Sequence, residues 1–408
     1  MNPRKNLLLL LVLLLAGGAY YLFDVKWAGE EKTEEERKAK VLKGLDEKRL
    51  LRIALEREKE PYQAIRTEKG WRFVKPVDAA VDKEEFDKLV KGAAGLKETR
   101  RIGSVQDLSE FGLAKPGLRL TFGLKGREVV VLHIGDRSPT RASRYAALKG
   151  GPVFTLPSES VDLFDKPVFA LRDKTVVPIK SDKAQMITVA PGGETPFTVV
   201  RREKDDWEMT VPVADKAAST DSEGVASGLY YARVHRFVEE KPKDLAKYGL
   251  DKPTFTVRVY TDKKGKEGDG LILGKSVREE TVGPRGAKSK KLFYYGRRLS
   301  GGPVFLVRNT VVKDLPRTAF ALRHKTVLDY DVDDITRLRI EMPGETVDVR
   351  RLGKKKWDLR VTKAGAAEAA KLPALHKHVD DVLWDIKWAN AVEYVDSPGE
   401  ELAKYGLG

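Results

Sequence analysis

Two histidines one residue apart, His376 and His378, followed by Asp380 and Asp381, form the first constellation in this chain with metal-binding chemistry. A divalent cation needs several ligands converging on one point. Leu375, Val379, Val382, Leu383 and Ile386 recur here at helical spacing, and on a helix residues two apart point about 200° away from each other. The two histidines therefore serve different faces, and no metal site is expected. The acidic run DYDVDD, Asp329 to Asp334, opens like a calcium loop with Asp329, Asp331 and Asp333 alternating. Its sixth position is Asp334 where glycine must make the sharp turn, and its twelfth is Ile340 where a bidentate glutamate is needed. An acidic linker is the better account. GPRGAKSKK, Gly283 to Lys291, lacks the spacing of a phosphate loop and joins two strand-like segments, so it reads as a basic hairpin tip. Its Arg285, Lys288, Lys290 and Lys291, together with Arg297, Arg298 and the run Lys354, Lys355, Lys356, form the candidate contact surface for lipid headgroups, an anionic polymer or a protein partner. His133 in VVVLHIG reads as an ordinary strand histidine. There is no G-x-S-x-G elbow, no H-E-x-x-H and no convincing carboxylate pair. No catalytic, cofactor-binding or metal residue is assigned, and the chain is not read as an enzyme.

Composition bounds the alternatives. The chain has 408 residues, 41% of them hydrophobic, enough for two or three domains with their own cores. It carries 76 basic against 61 acidic residues, a formal net charge of +15, which suits anionic partners. Both signs are interspersed, however, as on any highly charged soluble face. Cysteine is absent, which removes disulfides, thiolate catalysis and cysteine metal sites.

After Arg4 and Lys5 comes an uncharged, mostly apolar run from Asn6 to Phe23. Its length is near the minimum for a membrane-spanning helix, and the basic residues before it place the rest of the chain across the membrane. Leu7 to Ala16 followed by Gly17-Gly18-Ala19 also suits a cleaved signal peptide. Tyr20-Tyr21-Leu22-Phe23 carries the run past that site and favours a single-pass anchor in the inner membrane. Thr33 to Lys48 is charged, with Thr33 and Glu36 as a capping box, and reads as a helical stalk. The alternative is that it packs on the first repeat through Val41, Leu42 and Leu45.

What positions the candidates is a repeated unit. FALRDKTVV at Phe169 returns as FALRHKTVL at Phe320, and GGPVF at Gly150 returns at Gly301. EFGLAKP at Glu110 matches KYGLDKP at Lys247, and LAKYGLG closes the chain. Tryptophan strands lead each unit: GWRFVKPV, DWEMTVPV and KWDLRVTK. The chain is thus two copies of a unit of about 140 residues and the first half of a third. Against that register His133 faces Ile272, so the histidine is not a shared feature. Each copy begins with hairpin strands (LLRIALE and YQAIRTE, MITVA and FTVVRRE, LRIEM and TVDVRRL), then the Trp strand, then a helix. Asp82 caps the first helix with Glu85 three residues on. GLRLTFGL and PTFTVRVY alternate as half-buried antiparallel strands do, and Ser158 to Leu171 reads as a closing helix.

The expected fold class is α+β: an N-terminal transmembrane helix followed by tandem repeats of a mainly antiparallel sheet with helices on one side. The expected boundaries are 1–29 for the cytoplasmic tip and anchor, 30–48 for the stalk, 49–180 and 181–330 for the full repeats, and 331–408 for the half repeat.

From about Leu50 onward the sequence resembles the family named domain of unknown function 4340. The resemblance rests on the Trp strands ending near Pro-Val (Trp71 to Val77, Trp207 to Val213), the Tyr-Gly-Leu-Asp-x-Pro turn (Tyr248 to Pro253) and the Leu-Gly strand. Many members are encoded beside ABC transporter subunits and proteins resembling gliding-motility components. The resemblance implies an accessory part of a membrane transport assembly, with no catalytic residues to carry over. The expectation is a non-catalytic extracytoplasmic scaffold with protein partners in an ABC-type or envelope complex. The alternative is a module binding acidic polymer or anionic lipid, and the third reading is an unrecognised enzyme. No cofactor and no nucleic acid are expected. The third copy stops at Gly408 before its second half: either the protein ends in a half unit or the sequence is a fragment of a longer one, and in both cases an open sheet edge could await a partner strand.

Overall fold

The computed structural model describes residues 17, 20–21, 40–42, 45, 47–126, 128–204, 206–283, 286–396 and 402–407. They divide into two compact units, Met1–Lys174 and Thr175–Gly408. The expected N-terminal transmembrane helix is corrected: among the described residues no helix is long and apolar enough to cross a membrane. Of Asn6 to Phe23 only Gly17, Tyr20 and Tyr21 lie within them. What the structure contains instead is tandem antiparallel sheets.

In the first unit β1 (Leu50–Glu56), β2 (Tyr62–Thr67), β3 (Gly70–Lys75) and β4 (Ala79–Ala80) make an antiparallel meander. Helix α1 (Lys83–Ala94) and β5 (Arg100–Gly103) follow, then β6 (Leu118–Leu124), β7 (Val129–Arg137), β8 (Ser143–Leu148) and β9 (Val153–Pro157). One nine-stranded sheet results, in the order β4-β3-β2-β1-β6-β7-β8-β9-β5. Alternation explains the strands: Leu118, Leu120, Phe122 and Leu124 of β6 are buried and the residues between them are not. Asp82 caps α1, its carboxylate accepting from the Glu85 N–H at 3.1 Å, and Phe86, Leu89, Val90 and Ala93 turn inward at helical spacing. Phe73 and Phe86 join Phe122, Phe164 and Leu171 in one core, so both halves of the unit close over the same apolar layer. The expected closing helix is two short pieces, α2 (Ser158–Asp162) and α3 (Val168–Leu171), with Pro167 just before the second. Of the segment 30–48 the structure describes residues 40–42, 45, 47 and 48, and these fit the alternative of packing on the first repeat. Lys40 bridges Lys97, the Val41 N–H donates to Leu96 O, and Val41, Leu42 and Leu45 are buried in the first core.

The second unit repeats the plan. β10 (Met186–Pro191), β11 (Phe197–Glu203), β12 (Asp206–Val211) and β13 (Asp215–Lys216) precede helix α4 (Ser219–Tyr231) and β14 (Arg236–Glu239). β15 (Phe255–Tyr260), β16 (Gly268–Val282), β17 (Lys288–Arg298) and β18 (Gly301–Arg308) complete a sheet of the same order. Helix α5 (Asn309–Lys313) follows. The third copy adds β19 (Arg337–Met342), β20 (Glu345–Gly353), β21 (Lys356–Lys363), β22 (Ala370–Leu372) and α6 (His376–Lys387), a four-stranded sheet equivalent to the first half alone.

The recurring motifs are joints. Gly112, Gly249 and Gly406 sit at φ 65°, 68° and 69°, left-handed values that favour glycine after each Phe/Tyr. The turn at Gly249 presses directly on the strand glycine of LILG: a Cβ on Gly274 would lie 2.1 Å from Tyr248 O. Gly135 is in the same position against Phe111 O, at 2.0 Å. The second nonapeptide stitches copies two and three: Leu322 O accepts from the Ala218 N–H, while Lys325 O accepts from the Ala391 N–H. Its Arg323, buried, is gripped by Asp215 of copy two at 2.6 Å and Asp396 of copy three at 2.5 Å.

Two outcomes follow. Gly274→Ala forces a backbone shift and lowers stability by about 1–3 kcal/mol in urea unfolding. Gly224→Ala on α4, where a Cβ meets nothing within 4 Å, raises it by about 0.5–1 kcal/mol. Glu85 is held by hydrogen bonds to Lys166 and then Lys88, both at 2.6 Å, which lower its pKa from 4.5 to about 2. A depressed folded-state pKa stabilises above the unfolded value, so this contribution is full above pH about 4.5 and is lost as pH falls through about 2. Acid titration of Glu85→Gln should show a flatter stability loss across that window than the parent chain.

Candidate functional site

The polar residues that all three copies share form an internal clamp. Arg66, Arg201 and Arg351 stand opposite Trp71, Trp207 and Trp357 on the neighbouring strand. The Arg201 guanidinium lies 4.7 Å from the Trp207 ring and that of Arg351 4.3 Å from Trp357. Each arginine also ties down the segment before its first strand: Arg66 donates to Glu47 O, Arg201 to Ala184 O and Ser181 O, and Arg351 to Ile335 O and Val332 O. Arg201 and Trp207 are buried, so this recurring pair holds the fold.

The metal-like constellations are dispersed by the same logic. Trp357 Nε1 donates to His376 Nδ1 at 3.3 Å, which leaves His376 Nε2 to face Asp380 Oδ2 at 3.2 Å. His378 is exposed on another face of α6. Asp331 caps a short turn through the Asp333 N–H, and Asp329 pairs with Lys216 at 3.7 Å. Among the described residues no three His, Asp or Glu side chains are placed to hold a metal ion. His133 lies opposite Arg119 and Ala147 in the first sheet, where burial, then Arg119 and Lys149, hold its pKa below the usual imidazole value. A cavity of about 400 Å³ beside β6 is lined mainly by apolar groups such as Phe122, Leu124 and Phe154. Its Glu98 and Arg101 are paired at 2.9 Å, and its Glu128 pairs with Arg49 at 3.1 Å.

The basic candidates fall into three places. β16 and β17 extend beyond the length of β7 and β8 as a two-stranded arm, paired from Val277↔Phe293 to Val282↔Lys288. Its base is pinned by His235 stacked on Phe293 at 4.2 Å. Lys288, Lys290 and Lys291 lie on this arm, and Arg285 lies outside the described residues. Lys291 stands opposite Glu279, Lys290 opposite Glu280, and Lys288 pairs with Glu280 at 3.0 Å. The arm therefore sets its lysines in register with glutamates, with Lys288–Glu280 as an ion pair and Glu279 also held by Arg236. Arg297 donates to Gly302 O at 3.0 Å and Arg298 to Val176 O at 2.9 Å, so both brace the base of the sheet. Lys354 and Lys355 form the exposed turn before β21 and Lys356 opens that strand, apart in sequence and sheet from the arm. The facing glutamates are what reasoning from the lysines alone misses. The signal that reveals them is the longer stretch between LILG and GGPVF in the second copy, which has to form a longer hairpin.

Reversing Lys290 and Lys291 to glutamate sets like charges opposite Glu280 and Glu279, at a cost of about 0.2–1 kcal/mol per pair. Hydrogen exchange should then speed up for the amides of Lys288 to Leu292 while those of β15 keep their protection.

No curated protein and no solved structure matches the chain. A family profile described as Domain of unknown function (DUF4340) matches it twice, over residues 71–227 and 207–408. Each match begins at the tryptophan of a clamp, Trp71 or Trp207, and together they span most of the chain. The chain belongs to the DUF4340 family and carries its domain in tandem.

Proposed function

We propose that the protein is a non-catalytic scaffold that holds partner proteins in a transport or envelope assembly, through sheet edges and through the β16–β17 arm. The observation that carries this reading is the β16–β17 arm, a two-stranded ribbon paired from Val277↔Phe293 to Val282↔Lys288 that extends beyond the corresponding β7–β8 hairpin of the first copy. Two further observations support it. The polar residues common to the copies are spent on the Arg–Trp clamp, and three of the charged groups of the cavity beside β6 are paired, Glu98 with Arg101 and Glu128 with Arg49. The family's gene neighbourhood suggests ABC-type transporter subunits as the partners. Binding of an acidic polymer or lipid by the arm is the less favoured reading, because its lysines face glutamates. It predicts a salt-sensitive affinity that Lys288→Glu with Lys290→Glu and Lys291→Glu abolishes.

The test is crosslinking mass spectrometry on the tagged chain in its native cells. Transporter or envelope proteins joined to lysines of the arm, such as Lys290 and Lys291, are the expected result. Recovery of the chain alone, with the crosslinker shown to be active, would overturn the scaffold reading.

A further inference from the structure

The cavity beside β6 marks a place where the first two copies differ in chemistry. In the second copy Arg298 of β17 stands opposite Leu271 of β16, and its guanidinium donates to Val176 O at 2.9 Å and to Thr175 O. Thr175 bridges Arg233, and the Val176 N–H donates to Ala232 O. The first copy has the same pattern: Leu148 of β8 stands opposite Leu132 of β7, Lys40 bridges Lys97, and the Val41 N–H donates to Leu96 O. Leu148 thus takes the place of Arg298, and the carbonyls of Lys40 and Val41 have no guanidinium of that kind to serve them. Two neighbouring positions change as well. Glu98 follows Lys97 where Val234, only 4% exposed, follows Arg233. Arg101 faces Phe154 across the strands where Phe237 faces Phe305. Lys40, Val41, Glu98, Arg101, Leu148 and Phe154 all line the cavity, whose volume of about 400 Å³ is usual for a small-ligand site. The first copy therefore lacks the cation of the second and has instead a carboxylate side chain that is 17% exposed.

We propose that this cavity binds a small amphiphile with a guanidinium or ammonium head and an unbranched aliphatic tail. The head takes the role of Arg298 and donates to the carbonyls of Lys40 and Val41, with Glu98 as its counter-charge, while the tail lies against Phe122, Leu124 and Phe154. A guanidinium suits the place best, because its planar fork reaches two carbonyls at once, as that of Arg298 does. Arg101 already pairs with Glu98 at 2.9 Å, but its side chain is 55% exposed, so water screens its share of that pair. An anionic head would have Lys40 and Arg101 to meet, and Glu98 beside them would repel it. The site adds ligand binding to the scaffold reading and does not depend on it.

Isothermal titration calorimetry of the full chain with n-octylguanidinium chloride, kept below its micellar concentration, tests the site beside sodium octanoate. The net charge of +15 draws anions to the chain at large, so a preference for the cation has to come from the site. We expect one-to-one binding of octylguanidinium, at least about tenfold tighter than octanoate and tightening about fourfold with each methylene from hexyl to octyl. Leu148→Arg puts the chain's own guanidinium where the second copy has one, so it should abolish binding with the circular dichroism unchanged. Glu98→Gln, which keeps the shape of the side chain, should weaken octylguanidinium at least about tenfold and leave octanoate no weaker. The proposal is overturned by the absence of binding, by octanoate binding as tightly as the cation, or by affinity indifferent to either substitution. Crosslinked partners recovered unchanged with Leu148→Arg would leave the scaffold reading standing whichever way the titration falls.

Discussion

Everything in a complete copy hangs on one long-range pairing, that of its first strand with the strand after the Tyr-Gly-Leu turn. β1 with β6, and β10 with β15, join two half-sheets that would otherwise be separate meanders. The entropy of closing the intervening loop is met by a shared apolar layer, since residues of both halves lie in one core. The turn can deliver its strand only because a glycine on the next strand lets the two backbones touch, at Gly135 and Gly274. A methyl group there would hold the turn off the sheet and displace the strand that it leads into.

The copies keep what this joint and the clamp require, and vary elsewhere. Arg201 over Trp207 fastens the segment entering the first strand, and Arg351 over Trp357 does the same in a copy with a far smaller core. A guanidinium suits the task because its planar fork reaches two carbonyls while its face lies on the indole. At the junction of copies two and three, Arg323 answers Asp215 and Asp396 and packs 3.9 Å from the Tyr394 ring. The half copy is thereby tied to its neighbour by a partly desolvated charge cluster as well as by backbone bonds.

Surfaces that are not needed by the joint are where the copies differ. The second copy lengthens one hairpin into an arm whose lysines and glutamates face one another, a pattern that suits a ribbon standing in water without collapsing or sticking to itself. Among the described residues of the third copy Trp384, Trp388 and Val392 stand exposed.

Much of this architecture is legible in the chain. The repeated tryptophans, glycines and FALR peptides locate the copies, period-two alternation marks β6 and β15, and the Asp82 to Glu85 spacing marks the start of α1. These are local patterns, and local sterics and hydrogen bonding are enough to specify them. The chain misleads where a pattern has two physical solutions: Val41, Leu42 and Leu45 on a charged segment suit a stalk or a packed strap, and the unit's core claims them. The apolar run at Asn6 to Phe23 has the composition of a spanning helix and lies, except for Gly17, Tyr20 and Tyr21, outside the described residues, among which no helix is long and apolar enough to cross a membrane. The lysines of the arm look like a free basic patch until register sets Glu279 and Glu280 against them, and Arg297 and Arg298 look available until their fork reaches a carbonyl. Composition and spacing determined the units and their strands. Only the tertiary structure decided which charges find partners, because cross-strand partners come from distant segments whose register depends on the closed sheet.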